Sequence, residues 1–215
     1  MTAKNIIFWL QRPKAIFYRL KYWIWEKLHP HKPWMCPGTV DFCEKHLSKS
    51  MSVLEFGSGR STVWFAQRAG NLISIEHNSV WYQLVKKKIE TANLTNVDLR
   101  WIPLDHSLTE PEREFYEKCP DYVAVLDEFP DASFDLIIVD GHYRTNCTRK
   151  CLSKIKPGGY LLLDDANLWN SFDVLEIPQD WLVVNQSTNG IKTAIIWQKP
   201  PITTQIASSE NLTVH

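Results

Sequence analysis

The stretch 54-LEFGSGRSTVWFA-66 joins an apolar run to a helical pattern through three small residues, Gly57, Ser58 and Gly59. Small residues there let the backbone pass close to something: a phosphate, a nucleoside or another part of the chain. The run before the loop, 51-MSVLEF-56, reads as a short strand. Val63, Trp64, Phe65 and Ala66 follow as a helix that Ser61 can cap. Strand, glycine loop and helix in that order begin a βα unit.

The alternation continues outward. A second strand, 72-LISIE-76, leads to a helix capped by Asn78 and carrying Val80, Leu84, Val85 and Ile89. The alternating 97-VDLRWIPL-104 predicts a third strand, followed by a polar connection over 105–133 with a helix around 121-DYVAVLDEF-129. Then come strand 134-FDLIIVD-140, a helix over 144–155 and strand 159-GYLLLDD-165. The runs 181-WLVVNQ-186 and 192-KTAIIWQ-198 flank Asn189-Gly190, which suits a hairpin turn. These units predict an α/β fold: a doubly wound, mostly parallel seven-stranded sheet with an antiparallel last strand and an N-terminal helical extension. The expected organisation is a basic aromatic extension over 1–35, a Rossmann-type domain over 36–200 and a flexible polar tail over 201–215.

The net charge of +0 conceals an asymmetry. Residues 1–35 carry seven Lys and Arg against Glu26 alone, a net +6, so the remaining 180 residues carry −6. The same head is rich in aromatics, including Trp9, Phe17, Tyr18, Tyr22, Trp23 and Trp25. Pro13 splits it into two helical pieces, and Ile16, Phe17, Leu20, Ile24 and Leu28 follow helical spacing in the second. Such a head suits a helical cover packed on the domain, a lid, a homodimer contact or peripheral contact with an anionic membrane. The acidic body argues against a general nucleic-acid footprint. The apolar runs are too short to span a bilayer, and 6-IIFWL-10 is too short for a secretory signal. Five cysteines without a CxxC pattern favour neither a disulfide framework nor zinc. Cys147 and Cys151, four apart in a helix, read as core residues. A reduced, cytoplasmic protein is expected.

Ligands of open α/β sheets bind beyond the carboxyl ends of the strands. Polar clusters fall at five such ends: Glu55 to Ser61, Glu76-His77, Asp105-His106, Asp140 to Arg144, and Asp164 to Asn167. Glu76 ends the strand after the glycine loop, where a carboxylate can accept hydrogen bonds from ribose hydroxyls. A dinucleotide fingerprint wants a third glycine where Thr62 stands, and no GK[ST] phosphate loop is present.

The segments 54-LEFGSGRST-62, Glu76, 134-FDLIIVDGHYR-144 and 154-KIKPGGYLLLDD-165 together resemble class I S-adenosylmethionine-dependent methyltransferases, over roughly residues 40–198. The resemblance implies that Glu55, Gly57, Ser58 and Gly59 form the cofactor loop and that Glu76 holds the ribose. It implies that Asp105 contacts the adenine, that Asp140 sits beside the transferred methyl, and that 156-KPGG-159 is a structural turn. If the acceptor is a hydroxyl, a base is needed, and His142, Asp165 and His106 are the candidates, with Asp140 beside them. The segments 140-DGHYR-144 and 164-DDANLW-169 are also similar to metal-dependent catechol-type O-methyltransferases. Those place Asp, Asp and Asn around magnesium. Aligned on Leu168-Trp169, Ala166 takes the Asn position, Asn167 falls one place late, and the lysine expected after the first Asp is missing. Asp140, Asp164 and Asp165 could bind a hard cation, but no metal is the favoured expectation.

The expected function is methyl transfer from S-adenosylmethionine to oxygen or nitrogen of a small-molecule or a sugar- or lipid-linked acceptor. A nicotinamide-dependent oxidoreductase and a non-catalytic nucleoside-binding scaffold are the alternatives.

Overall fold

A computed structural model describes residues 13–107, 109–110, 112–168 and 171–202, the side chains of 13–15 excepted. Its strands are β1 (Ser52–Phe56), β2 (Asn71–Glu76), β3 (Val97–Trp101), β4 (Phe134–Val139), β5 (Ile155–Leu163), β6 (Leu182–Thr188) and β7 (Thr193–Gln198). They form one sheet in the order β3-β2-β1-β4-β5-β7-β6. The first five are mutually parallel, and β7 runs antiparallel between β5 and β6.

Alternation along the central strands gives the sheet two buried faces. Leu54 and Phe56 of β1, Ile137 and Val139 of β4 and Leu161 and Leu163 of β5 enter one core. Val53, Leu136, Ile138 and Leu162 enter the other. The helices are α1 (Pro13–Leu28), α2 (Pro37–His46), α3 (Arg60–Ala66), α4 (Ser79–Thr91), α5 (Asp121–Ala124), which runs on as a 3-10 turn to Glu128, and α6 (Arg144–Lys154). Cys147 and Cys151 of α6 lie fully buried in the first core, as their spacing predicts. Trp64 and Phe65 of α3 join Val40 and Cys43 of α2 in the second.

Several local expectations are corrected. The third strand stops at Trp101, and residues 102–104 leave the sheet. The 156-KPGG-159 segment lies within β5 as a bulge, because Ile155 pairs with Phe134 while Tyr160 pairs with Leu136. The closing hairpin turns over four residues: the Asn189 side chain accepts from the amides of Ile191 and Lys192, and Gly190 takes φ 94°. Ser61 does not cap α3; Gly59 holds that place. Asn78 does cap α4, its side chain accepting from the Trp81 amide at 3.0 Å. The head's first helical piece, the tail beyond Ile202 and Trp169 lie outside the described residues.

The helical spacing of Ile16, Phe17, Leu20, Ile24 and Leu28 marks an apolar stripe along α1. The opposite face docks instead: Tyr22 is buried and Trp25 packs on the second core, while those five residues are exposed.

Candidate active site

The chain runs outward from β1 through β2 to β3, then returns to pair β4 on the other side of β1. The switch in strand order therefore lies between the carboxyl ends of β1 and β4, where a crevice must open. A cavity of about 630 Å³ opens there, lined by Gly57, Ser58, Gly59, Glu76, Asp140 and His142 among others. Its size falls within the roughly 300–1,000 Å³ of small-molecule sites.

The two glycines answer different demands. Gly57 has φ 91°, and a Cβ there would lie 2.7 Å from the Asp140 carbonyl and the Gly141 Cα. It lets the loop after β1 pass close to the chain leaving β4, so its partner is the protein itself. A Cβ on Gly59 would meet nothing nearer than Trp81 Nε1 at 3.7 Å, and this residue faces the cavity.

Beneath the loop, Glu55 accepts hydrogen bonds from Ser61 Oγ at 2.5 Å, Thr62 Oγ1 at 2.6 Å and Ser74 Oγ at 2.7 Å. Thr62 Oγ1 in turn accepts from the Gly59 amide at 2.8 Å. The residue standing where a third glycine was sought thus braces the loop against β1. Burial raises the Glu55 carboxyl above the ordinary carboxylate range. Glu55 is fully buried and does not line the cavity, which corrects its expected place in the cofactor loop. Three hydroxyls draw it inward.

Glu76 does line the cavity. Its Oε2 accepts from the Ser58 amide at 2.9 Å and Ser58 Oγ at 3.0 Å, and Oε1 accepts from the Asn78 amide at 2.7 Å. A carboxylate oxygen has two lone pairs, so Oε1 retains capacity for a ligand hydroxyl. Trp81 closes this side, its indole donating to the Ser58 carbonyl at 2.5 Å. Asp105 is exposed and outside the cavity lining; its amide donates to the Tyr143 hydroxyl at 3.1 Å. It follows the early end of β3 by four residues.

At the β4 end, Asp140 and His142 flank Gly141. Tyr143 takes φ 55°, a left-handed conformation disfavoured for a side chain this large, and starts α6. Burial lowers the His142 pKa to about 4, and His106 and His77 add to the effect. Its imidazole is therefore neutral near pH 7. His142 Nε2 lies 3.1 Å from His106 Nε2, and His142 Nδ1 lies 4.0 Å from Glu112 Oε2. Beside them is a charge cluster that the sequence reading left without a role. Arg144 Nη1 binds Glu112 at 2.8 Å, and Arg144 Nη2 lies 3.7 Å from Asp140 and 3.4 Å from Asp165. Lys192, from the hairpin, reaches Asp165 at 2.7 Å and Asp164 at 3.4 Å. Four carboxylates thus meet two cations. Burial, then the negative charge of Asp164, raises Asp140 well above its ordinary range. Asp165 is bound into these ion pairs and is not among the cavity-lining residues. Three acids converging on strand ends call for cations, and that requirement was the available signal for Arg144 and Lys192.

Among the described residues, Asp140, Asp164 and Asp165 form the one acidic group close enough to share an ion. It does not fit a divalent metal. The Lys192 ammonium already sits between Asp164 and Asp165, Ala166 stands in the Asn position, and the Asn167 amide is engaged by Ile191 and Thr193.

Residues 54–166 match a family profile described as a methyltransferase domain. No curated protein matches the chain in sequence. Among solved structures, an rRNA methylase from Streptococcus thermophilus shares 15% identity over 74% of this chain and 93% of its own, with TM-score 0.54. SMU.1697c from Streptococcus mutans, in complex with S-adenosylhomocysteine, shares 14% over 74% and 94%, with TM-score 0.53. An RNA methyltransferase from Salinibacter ruber, in complex with the same molecule, shares 14% over 81% and 97%, with TM-score 0.50.

Proposed function

The chain belongs to the methyltransferase-domain family and is a class I, S-adenosylmethionine-dependent methyltransferase; from that premise we propose that it is a cytoplasmic enzyme methylating oxygen or nitrogen of a small-molecule or a sugar- or lipid-linked acceptor. The observation that carries the reading is the cavity at the β1/β4 switch, with Glu76 on one wall and Asp140 and His142 on the other. The acidic body argues against a nucleic-acid acceptor.

When bound, S-adenosylmethionine supplies an electrophilic methyl on a sulfonium, so the protein's task is alignment and proton removal. Ser58 and Gly59 would border the cofactor, and Glu76 Oε1 would accept from a ribose hydroxyl. Asp140 would serve the methyl end, where the local excess of carboxylates would favour a cation. His142 is the base. Its Nε2, which lies 3.1 Å from His106 Nε2, must turn from that partner to offer its lone pair to the acceptor hydroxyl, and Glu112 offsets the charge of the resulting imidazolium. Arg144 positions Glu112 and Asp140. Glu55 and Thr62 support the loop without touching a ligand.

Calorimetry with S-adenosylhomocysteine and, separately, NAD tests the cofactor assignment. Binding of the first with no heat from the second is expected. Binding of NAD alone would return the site to the oxidoreductase alternative, and binding of neither would leave the scaffold reading.

A further inference from the structure

Helix α1 has two faces. One docks: Tyr22 is 6% exposed, and Trp25 stacks on Tyr22 and on His29 with ring centroids 5.9 and 5.0 Å apart. The other carries Ile16, Leu20, Ile24 and Leu28 at four-residue steps, with Phe17 and Trp23 beside them. Leu20 and Trp23 are each 54% exposed and Leu28 71%. Six large apolar side chains on one solvent-facing stripe exceed the scattered exposure normal for a folded surface. Basic residues border them: the Lys21 ammonium lies 4.7 Å from the Phe17 ring centroid, the Arg19 guanidinium lies 5.5 Å from that of Tyr22, and Lys27 is exposed.

We propose that this stripe of α1 docks on an anionic lipid bilayer, lying in the interface with its apolar side chains among the headgroups. Aliphatic and Trp side chains bordered by Arg and Lys are the composition of an interfacial helix. The charge distribution selects this occupant. The head carries +6 and the rest of the chain −6, so an anionic surface attracts one end, repels the other and fixes which side faces the lipid. A second copy paired through the same stripe would gather the basic residues Arg19, Lys21 and Lys27 of both copies around one interface, because a two-fold contact uses the same patch on each subunit. The chain outside the described residues adds Lys4, Arg12 and the run 6-IIFWL-10 to the same chemistry.

The stripe also lies near the site. Trp34 and Met35 line the 630 Å³ cavity. Trp34 follows the last residue of α1 by six positions, a reach of at most ~20 Å. A bilayer on α1 therefore places the cavity within range of an acceptor anchored in lipid, a consequence that rests on the methyltransferase reading above.

Co-sedimentation of the full chain with phosphatidylglycerol–phosphatidylcholine vesicles, against phosphatidylcholine alone, tests the docking. Binding is expected to the anionic vesicles and to weaken as salt rises. Each basic residue near such a surface contributes a factor of about five in partitioning. Reversing Arg19 and Lys21 to Glu should thus weaken binding by at least roughly 25-fold. The double variant Leu20→Glu, Ile24→Glu should weaken it by about 100-fold or more, since burial of each side chain is worth roughly tenfold or more. S-adenosylhomocysteine affinity, measured on the same samples, should not change, which keeps this outcome separate from the cofactor assignment. Equal pelleting of wild type and the Leu20/Ile24 variant would overturn the proposal. So would absence of wild-type binding, or a wild-type dimer that becomes a monomer in the variant without vesicle binding. A variant that binds vesicles normally but melts at lower temperature would assign the stripe to residues 1–12 instead.

Discussion

Replacing Glu76 by Gln keeps its shape and removes its charge. In the structure this carboxylate accepts from two amides and one hydroxyl, and Oε1 retains room for a ribose hydroxyl. A hydrogen bond to a charged group is worth about 1.5–3 kcal/mol, against about 0.5–1.5 for a neutral one. The ribose bond to Oε1, changing from charged to neutral, should therefore lose about 1–1.5 kcal/mol, roughly 5- to 13-fold in affinity. Glu76→Ala should lose the bond outright, about 1.5–3 kcal/mol, and also strand the buried amides of Ser58 and Asn78, so its melting temperature should fall as well. Titration calorimetry with S-adenosylhomocysteine measures the affinities, and thermal melts followed by circular dichroism separate folding from binding. A Gln variant within threefold of wild type, with an unchanged melt, would show that Glu76 does not hold the ribose.

Other outcomes follow from the same geometry. Wild type should give no Mn²⁺ binding by electron paramagnetic resonance. Lys192→Met should lower stability by about 1–3 kcal/mol, more at pH 8 than at pH 5, because the raised Asp140 and Asp164 carboxyls ionise as pH rises and then lack their counter-charge. His142, neutral above a pKa of about 4, should show an imidazole resonance that moves only when the pH falls toward that value. A midpoint near 6.5 would mean that the ring is neither desolvated nor coupled to its neighbours. Affinity for S-adenosylmethionine should rise relative to that for S-adenosylhomocysteine as pH increases, because ionised Asp140 favours the sulfonium and protonated Asp140 does not. A pH-independent ratio would remove Asp140 from the methyl end.

Much of the fold was legible because each βα unit is specified locally. The runs at 51–56, 72–76 and 134–140 became β1, β2 and β4 with shifts of one residue or none at either end. Asn189-Gly190 marked the reversal that makes β7 antiparallel. The third strand was overextended because period-2 alternation continues through Leu104, although pairing with β2 ends at Trp101. The glycine loop, Glu76, Asp140 and His142 converge as expected, since each lies at a strand end. Glu55 and Asp105 do not: the hydroxyls of Ser61, Thr62 and Ser74 hold Glu55 beneath the loop, and Asp105 lies beyond the early end of β3. The pairs Arg144–Glu112 and Lys192–Asp165 span 32 and 27 residues, and local pattern has no means of registering them. Helical spacing also located the apolar stripe of α1, but spacing alone does not say which face the domain takes.

The two glycines of the opening loop are answerable to different authorities. Gly57 is held by the carbonyl of Asp140 and the Cα of Gly141, so any chain keeping this close approach of the ends of β1 and β4 must keep it, whether or not a cofactor ever enters. Gly59 faces open space and answers only to what fills that space. A descendant that lost the cofactor but kept the scaffold would retain the first and let the second drift. The common shorthand that reads such a pair as one cofactor signature therefore joins a marker of architecture to a marker of occupancy.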